Sequence, residues 1–461
     1  METDRIFDGW ERNRGTKSQR LAGAVERALI AGTLAGPLPS ERTLAARLGV
    51  SRGTVSAAYA ELKERRLVMS RAGGYTRPDE ENLKAPVRAA RLAARGMAEG
   101  TILGNYVDRD PTAMDLSFAI LGVPETMREL VMHSYVAALK EAPSSDDSNA
   151  AGRPELRERI AEAFRALHVP TSAEQIVVTQ GAYQAIVLAT LLALQPGDRV
   201  ACECPVYPGA LDIFRAHAAA IYEVDSYDRP GVLDALERQP SVNMIYASTV
   251  FRNPTGSVIE HATAARLARL AEIRDIVLVD DRALEYCGFG SQMIPPLAAY
   301  NSKAPILTLG SLDKTTGAGT RVGWIRAPRS LAGKLARLKA LSDLASPSFT
   351  QSVALQLFEH LATIARARQA ELNARFTTVA AALRTHFPLW RWTAPRGGAS
   401  IWVDTGADAD ALVAAAARAG ITLIAGGAFS PSGVSGSYVR IALARPEHVL
   451  ELAVARLADI R

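Results

Sequence analysis

From about residue 113 to about residue 330 the chain alternates short apolar runs with stretches of helical character, and nothing else in it constrains the fold as strongly. QIVVTQ, DRVACEC, AAIYEV, MIYAST, IVLVDD, ILTLGS and RVGWIRA are mostly apolar at successive positions, the pattern of strands covered on both faces. Strands alternating with helices predict a mainly parallel sheet with helices packed on it. A helical region over about 330–384 follows, and GASIWVD, ITLIAGG and YVRIALA read as a smaller α+β unit. With 461 residues, the chain is too long for one ordinary domain.

Charge separates the front of the chain from this body. The first hundred residues hold 18 Lys and Arg against 12 Asp and Glu, and the remainder holds 35 against 36. A basic segment on a neutral body points to a polyanion partner. No stretch has the uninterrupted apolar length of a membrane span. METDRIFDGWERNRGTK lacks the apolar centre of a secretory signal. Cys202, Cys204 and Cys287 form an odd set without metal-ligand spacing, so they read as reduced thiols of a cytoplasmic, metal-free protein.

Residues 15–76 predict three short helices and a hairpin. In PLPSERTLAARLGVSRGTVSAAYAELKERRLV, Ser40 is placed to cap a helix that buries Leu44, Ala45 and Leu48. Gly49 permits a sharp turn. Ser51 caps a second helix that buries Val55, Ala58, Tyr59 and Leu62. Two helices joined in this way form a helix-turn-helix, whose second member can enter a major groove. Its first turn carries Ser51, Arg52, Gly53 and Thr54, donors suited to phosphates and guanine edges. LVMSRAGGYTRP supplies two strands around Gly73 and Gly74, a wing. Arg88, Arg91 and Arg95 then share one face of a helical linker.

In the body, residues able to hold a charged ligand fall at strand ends, where open α/β sheets bind ligands. TQGAYQA opens a helix after a strand, so the N–H groups of Gly181, Ala182 and Tyr183 can receive a phosphate. Tyr207 in CPVYPG can stack on a ring, and Asn253 in FRNPTG can reach a ring oxygen. Asp280 in IVLVDD can face a ring nitrogen. Ser311 ends ILTLGS, Lys314 follows it, and Arg321 lies seven residues beyond the lysine. The chemistry this set serves is that of pyridoxal 5'-phosphate (PLP): an amine for its aldehyde, an acid for its pyridine nitrogen, donors for its phosphate.

The order and spacing of these groups resemble those of fold-type I aminotransferases. The front sixty residues, through LPSERTLAARLGVSRGTV, AAYAEL and the glycine-containing wing, resemble GntR-type winged helix-turn-helix domains. Together they resemble the MocR-type transcription regulators over nearly the full length. The resemblance implies a multidomain chain: a small α+β winged helix-turn-helix at 12–77, a linker at 78–112, and an α/β PLP-binding domain of aminotransferase class I type at 113–461. In that domain 113–330 is mainly the large subdomain, and 331–461 holds long helices and the smaller C-terminal unit. It implies Lys314 as the Schiff-base lysine, with the cofactor held by Gly181, Ala182, Tyr183, Tyr207, Asn253, Asp280, Ser311 and Arg321. It implies Arg440 in YVRIALA as the clamp for an effector carboxylate, and Arg42, Ser51, Arg52, Thr54 and Gly74 as DNA contacts. The partners implied are double-stranded operator DNA, a small amine or amino acid, and a second copy of the chain. Two other functions are compatible with the residues: a working aminotransferase, or a regulator whose large domain is a PLP-free dimerisation scaffold. Three departures from the family pattern bear on this choice. Arg282 stands where a Tyr is usual, Asp313 where a Ser is usual, and AGTR replaces PGLR.

Overall fold

The computed structural model describes residues 16–30, 38–64, 68–70, 76–78, 112–140, 149–239, 242–290, 294–433 and 435–460. The chain divides into two compact units, 1–99 and 100–461. Most of the expected linker lies outside the described residues, including Arg88, Arg91 and Arg95, and so do Gly73 and Gly74 of the wing.

The first unit contains α1 (Lys17–Ile30), α2 (Glu41–Leu48), α3 (Arg52–Glu64), β1 (Val68–Ser70) and β2 (Thr76–Pro78). Ser40 caps α2 by accepting the Thr43 N–H at 3.2 Å. Gly49 closes α2 at φ +64°, a conformation open to glycine at little cost. Leu21, Val25, Leu44, Val55, Ala58, Tyr59 and Leu62 form one buried cluster. The stripe on α3 is therefore the core face, which leaves the opposite face to solvent. β1 and β2 pair antiparallel, with Met69 opposite Arg77.

The second unit is built on a seven-stranded sheet in the order β4 (Ile176–Thr179), β10 (Gly323–Arg326), β9 (Ile306–Ser311), β8 (Val277–Asp281), β7 (Val242–Ala247), β5 (Arg199–Glu203) and β6 (Ala220–Val224). β10 runs antiparallel to both neighbours and the other pairings are parallel. Both faces are covered, which explains the unbroken apolar runs. Val177, Val279, Leu307 and Leu309 pack with α6 (Gly181–Ala193), α7 (Pro208–Ala216) and α9 (Arg329–Asp343) on one face. Val178, Leu278 and Ile306 pack with α5 (Pro154–Ala166) and α8 (His261–Arg274) on the other. Helix α4 (Arg128–Lys140) precedes these elements in the chain.

The helical region expected over 330–384 is three helices: α9, α10 (Ser348–Glu359) and α11 (Leu361–His386). The first break falls where Leu344 adopts φ +61° ahead of Pro347. The C-terminal unit has a three-stranded sheet, β11 (Ser400–Asp404), β14 (Tyr438–Ala442) and β13 (Ile424–Ala425), with α12 (Ala409–Arg418) and α13 (Glu447–Ala458). It also recruits β3 (Met114–Asp115), which pairs in parallel with β12 (Ile421–Thr422). Leu116 and Leu121 join its core. The segment nearest the linker thus belongs to the C-terminal unit, although it was expected to open the large subdomain.

Candidate functional sites

A cavity of about 470 Å³ opens at the ends of the central strands. Of the residues expected at a ligand site, Ala182, Tyr183, Tyr207, Asn253, Ser311, Lys314, Arg321 and Arg440 line it. The fold brings them together from α6, the turns after β5, β7 and β9, the approach to β10, and β14. Gly181 lies beside Asp313 and Arg321 at one end of it.

Asp280 is the exception. It is fully buried and accepts hydrogen bonds from Thr249 Oγ1 at 2.5 Å and the Leu297 N–H at 2.9 Å. Asp281 lines the cavity in its place. The cause is strand alternation. On β8, Leu278 and Asp280 face the α8 side, whereas Val279 and Asp281 face the α6 side, where the cavity lies. Tyr246, on the same face of β7, donates to Asp281 Oδ2, and the Ala283 N–H donates to Asp281 Oδ1 at 3.0 Å. Burial raises the pKa of Asp281, and the Tyr246 hydrogen bond opposes that shift. Arg282 also faces away from the cavity. Its guanidinium is buried against Glu285 Oε1 at 2.8 Å and the Ile294 carbonyl at 3.0 Å. The arginine at a usual tyrosine position thus belongs to a buried polar cluster with Asp280, Thr249 and Glu285.

The end of the cavity next to Arg321 is built on the first turn of α6. Gly181 has φ +82°, and an ideal Cβ there would sit 2.7 Å from Asp313 Oδ2 and 3.2 Å from Arg321 Nη1. Arg321 donates to Asp313 Oδ2 at 2.7 Å and to the Gln180 carbonyl at 2.8 Å. Ser311 Oγ accepts the Asp313 N–H at 3.1 Å. Asp313 is 7% exposed, and its Oδ1 has no hydrogen-bond partner. Burial raises its pKa, with Arg321 and then Lys314 opposing.

Two further cations converge from the other side. Lys314 Nζ donates to the Ala119 carbonyl at 2.6 Å. Burial lowers its pKa, and Asp313 is the largest opposing influence. Arg440 donates to Asn253 Oδ1 at 3.2 Å and to the Ser117 carbonyl. Its guanidinium lies 5.0 Å from the centre of the Phe429 ring. Burial brings its pKa down to about 10, which leaves it cationic at neutral pH. Phe118, Ala119 and Ile120 form part of the wall. No periodicity or motif marks this stretch, so sequence reasoning missed it. It also missed Asp281, Tyr246 and Arg252. For Asp281 the apolar run IVLVDD carries no mark of which acid faces the cavity.

In the first unit Arg42 is exposed in the first turn of α2, Ser51 and Arg52 are exposed at the start of α3, and Thr54 is half-buried. Ser51 Oγ accepts the Thr54 N–H at 3.1 Å and lies 2.9 Å from Thr54 Oγ1. These two hydroxyls organise the helix start. Arg52 Nε lies 3.5 Å from Glu41 Oε2. Among the described residues there is no His, Cys, Asp and Glu cluster able to hold a metal, and no helix long and apolar enough to cross a membrane.

Comparison with known proteins agrees with this two-part architecture. Residues 128–457 match the family described as aminotransferase class I and II, and residues 17–77 match the bacterial regulatory proteins of the gntR family. The chain belongs to the aminotransferase class I and II family and carries a gntR-family DNA-binding module in front of that domain. This is the order of the MocR-type regulators. It is 26% identical to the uncharacterized HTH-type transcriptional regulator YjiR of Escherichia coli, over 89% of this chain and 90% of that one. It is 25% identical to the uncharacterized HTH-type transcriptional regulator YisV of Bacillus subtilis, over 79% of each. Among solved structures it resembles the α-aminoadipate aminotransferase LysN of Thermus thermophilus. The TM-score is 0.71 at 24% identity, over 80% of this chain and 96% of that one.

Proposed function

We propose that this protein is a cytoplasmic transcription regulator that binds operator DNA through its winged helix and responds to a small amine or amino acid held, with PLP, in the large domain. The observation that carries the reading is the joining, in one chain, of a helix-turn-helix with exposed Arg42 on α2 and Arg52 on α3 to a cavity lined by Lys314, Asp281 and Arg440.

The donor set fits the cofactor in kind. A cradle that closes only over glycine lies beside Ser311 and Arg321, an aromatic ring and an amide line the walls, and a buried lysine is available. Asp313 alone opposes the fit, by its charge. Ser311, Arg321 and the start of α6 would hold the phosphate, Tyr207 the ring face, Asn253 the ring oxygen and Asp281 the pyridine nitrogen. Bound there, PLP supplies an aldehyde for amines and an electron-withdrawing ring. Burial depresses the basicity of Lys314, so a larger fraction of it is the neutral nucleophile at neutral pH. The Arg440 fork suits a carboxylate, which must displace the Asn253 and Ser117 oxygens to use both of its arms. The bound amine can control DNA only if it favours one arrangement of the protein over another in free energy. Two winged helices of a homodimer suit two operator half-sites. The test measures operator affinity and DNA geometry across a panel of amines, with Lys314→Ala as control. An amine that binds yet changes neither would defeat the sensing role.

A working aminotransferase is the second reading, favoured by the family membership and the buried lysine. Sustained turnover of an amino acid with a keto acid would support it. A PLP-free scaffold now rests on Asp313 alone, since Arg282 faces away from the cavity.

A further inference from the structure

Phosphate seats at helix N-termini work because backbone N–H groups and an arginine point at an anion. Here an anion is already built in. Asp313 Oδ2 bonds Arg321 at 2.7 Å and lies 2.7 Å from where a Cβ on Gly181 would sit, so one carboxylate holds the guanidinium and stands beside the helix start. Its other oxygen is buried with no side-chain partner, beside the backbone of Arg321 and Val322, on a residue that lines the cavity. An unpartnered carboxylate oxygen accepts hydrogen bonds and repels phosphate oxygens, which are acceptors themselves. The seat therefore suits a hydrogen-bond donor, such as a hydroxymethyl group, better than a phosphate dianion.

We propose that Asp313 is the specificity-determining residue of the cavity: it biases the site against the phosphorylated form of its pyridine ligand and toward the unphosphorylated alcohol. The inference rests on the reading of the cavity as a site for a pyridoxal-type ligand and adds which form of that ligand it favours. The charged groups facing Asp313 are Arg321, from the segment before β10, and Lys314 on its own turn. The facing turn of α6 offers Gly181 and Ala182, which carry no charge. Because the Asp313 pKa is raised, the bias is full at alkaline pH and fades as pH falls through that pKa and the carboxyl is neutralised.

Titration calorimetry on the full chain tests this with two probes, PLP and pyridoxal, which differ only in the phosphate. Near pH 8 the phosphate is a dianion, its second pKa being about 6. There Asp313→Asn, which keeps the shape and removes the charge, is expected to tighten PLP by about tenfold or more, equivalent to ~1.4 kcal/mol. Pyridoxal affinity should change less than about twofold on that scale, which also shows that the cavity is intact. Asp313→Ser should behave alike, and the gap between wild type and variants should narrow as the pH is lowered and the Asp313 carboxyl is neutralised. PLP binding that is unchanged or weaker in both variants overturns the inference and leaves the cofactor reading standing. Failure of both probes to bind any form overturns both.

Discussion

The two units each present a helix start with an arginine tied to a carboxylate, and the pairs differ in their exposure to water. In the winged helix, Arg52 lies 3.5 Å from Glu41 with side-chain exposures of 74% and 32%. In the cavity, Arg321 meets Asp313 at 2.7 Å with side-chain exposures of 53% and 10%, so the acid is buried and the guanidinium is not. An exposed pair contributes about 0–1 kcal/mol and exchanges readily. A pair with a buried acid is costly to break from one side, because the charge left behind is poorly solvated. The same local motif thus yields a surface that can open to phosphates and a seat that resists them.

The hardest break lies on the cavity side. Lys314→Ala should abolish, not reduce, the pyridoxyl adduct trapped by borohydride after incubation with PLP, while the winged helix still binds DNA. Mass spectrometry of peptides from the reduced protein checks this. An adduct that persists elsewhere in the chain would move the covalent site.

Next in size is a split between the two faces of β8. Asp280→Ala strands the Leu297 N–H and removes a charge facing Arg282, so it should cost roughly 3 kcal/mol of stability, the upper range for a lost hydrogen bond to a charged group. Its cavity should still bind PLP. Asp281→Ala should do the reverse, changing the spectrum of the bound ligand with a smaller shift in Tm. Thermal melts and absorption spectra of the two variants decide which acid serves the ring.

That split also marks where sequence reading stops. The winged-helix core was legible because Val55, Ala58, Tyr59 and Leu62 obey a helical period that burial follows. The sheet was legible because buried strands are unbroken apolar runs. Those same runs conceal facing: when both faces are apolar, the pattern does not say which of two adjacent acids turns toward the helix α6. Arg282 misled for the same reason, as one residue of alternation carries it to the opposite face. β3 and the carbonyls of Ser117 and Ala119 act through the backbone, which leaves no mark on residue identity.

On the DNA side the effects are smaller because the contacts are wet. Arg52→Ala should weaken specific operator binding by about tenfold, or ~1.4 kcal/mol, and lower the salt slope by about one. Affinities measured across a salt series check both. A loss of affinity with an unchanged slope would assign Arg52 to a base edge rather than a phosphate.

The smallest effect is the sharpest test of the comparison. Glu41→Gln removes the acid that competes with DNA for Arg52 and leaves the Ser40 cap of α2 in place. DNA binding should tighten, because both the competing pair and a nearby negative charge are gone. The gain should stay under about 1 kcal/mol, the ceiling for an exposed pair, and shrink as salt rises. Asp313→Asn, its counterpart in the cavity, should give a larger gain in phosphate affinity, since the Asp313 carboxylate is buried and Glu41 is not. Equal gains at the two seats, with equal salt dependence, would mean that burial does not distinguish them.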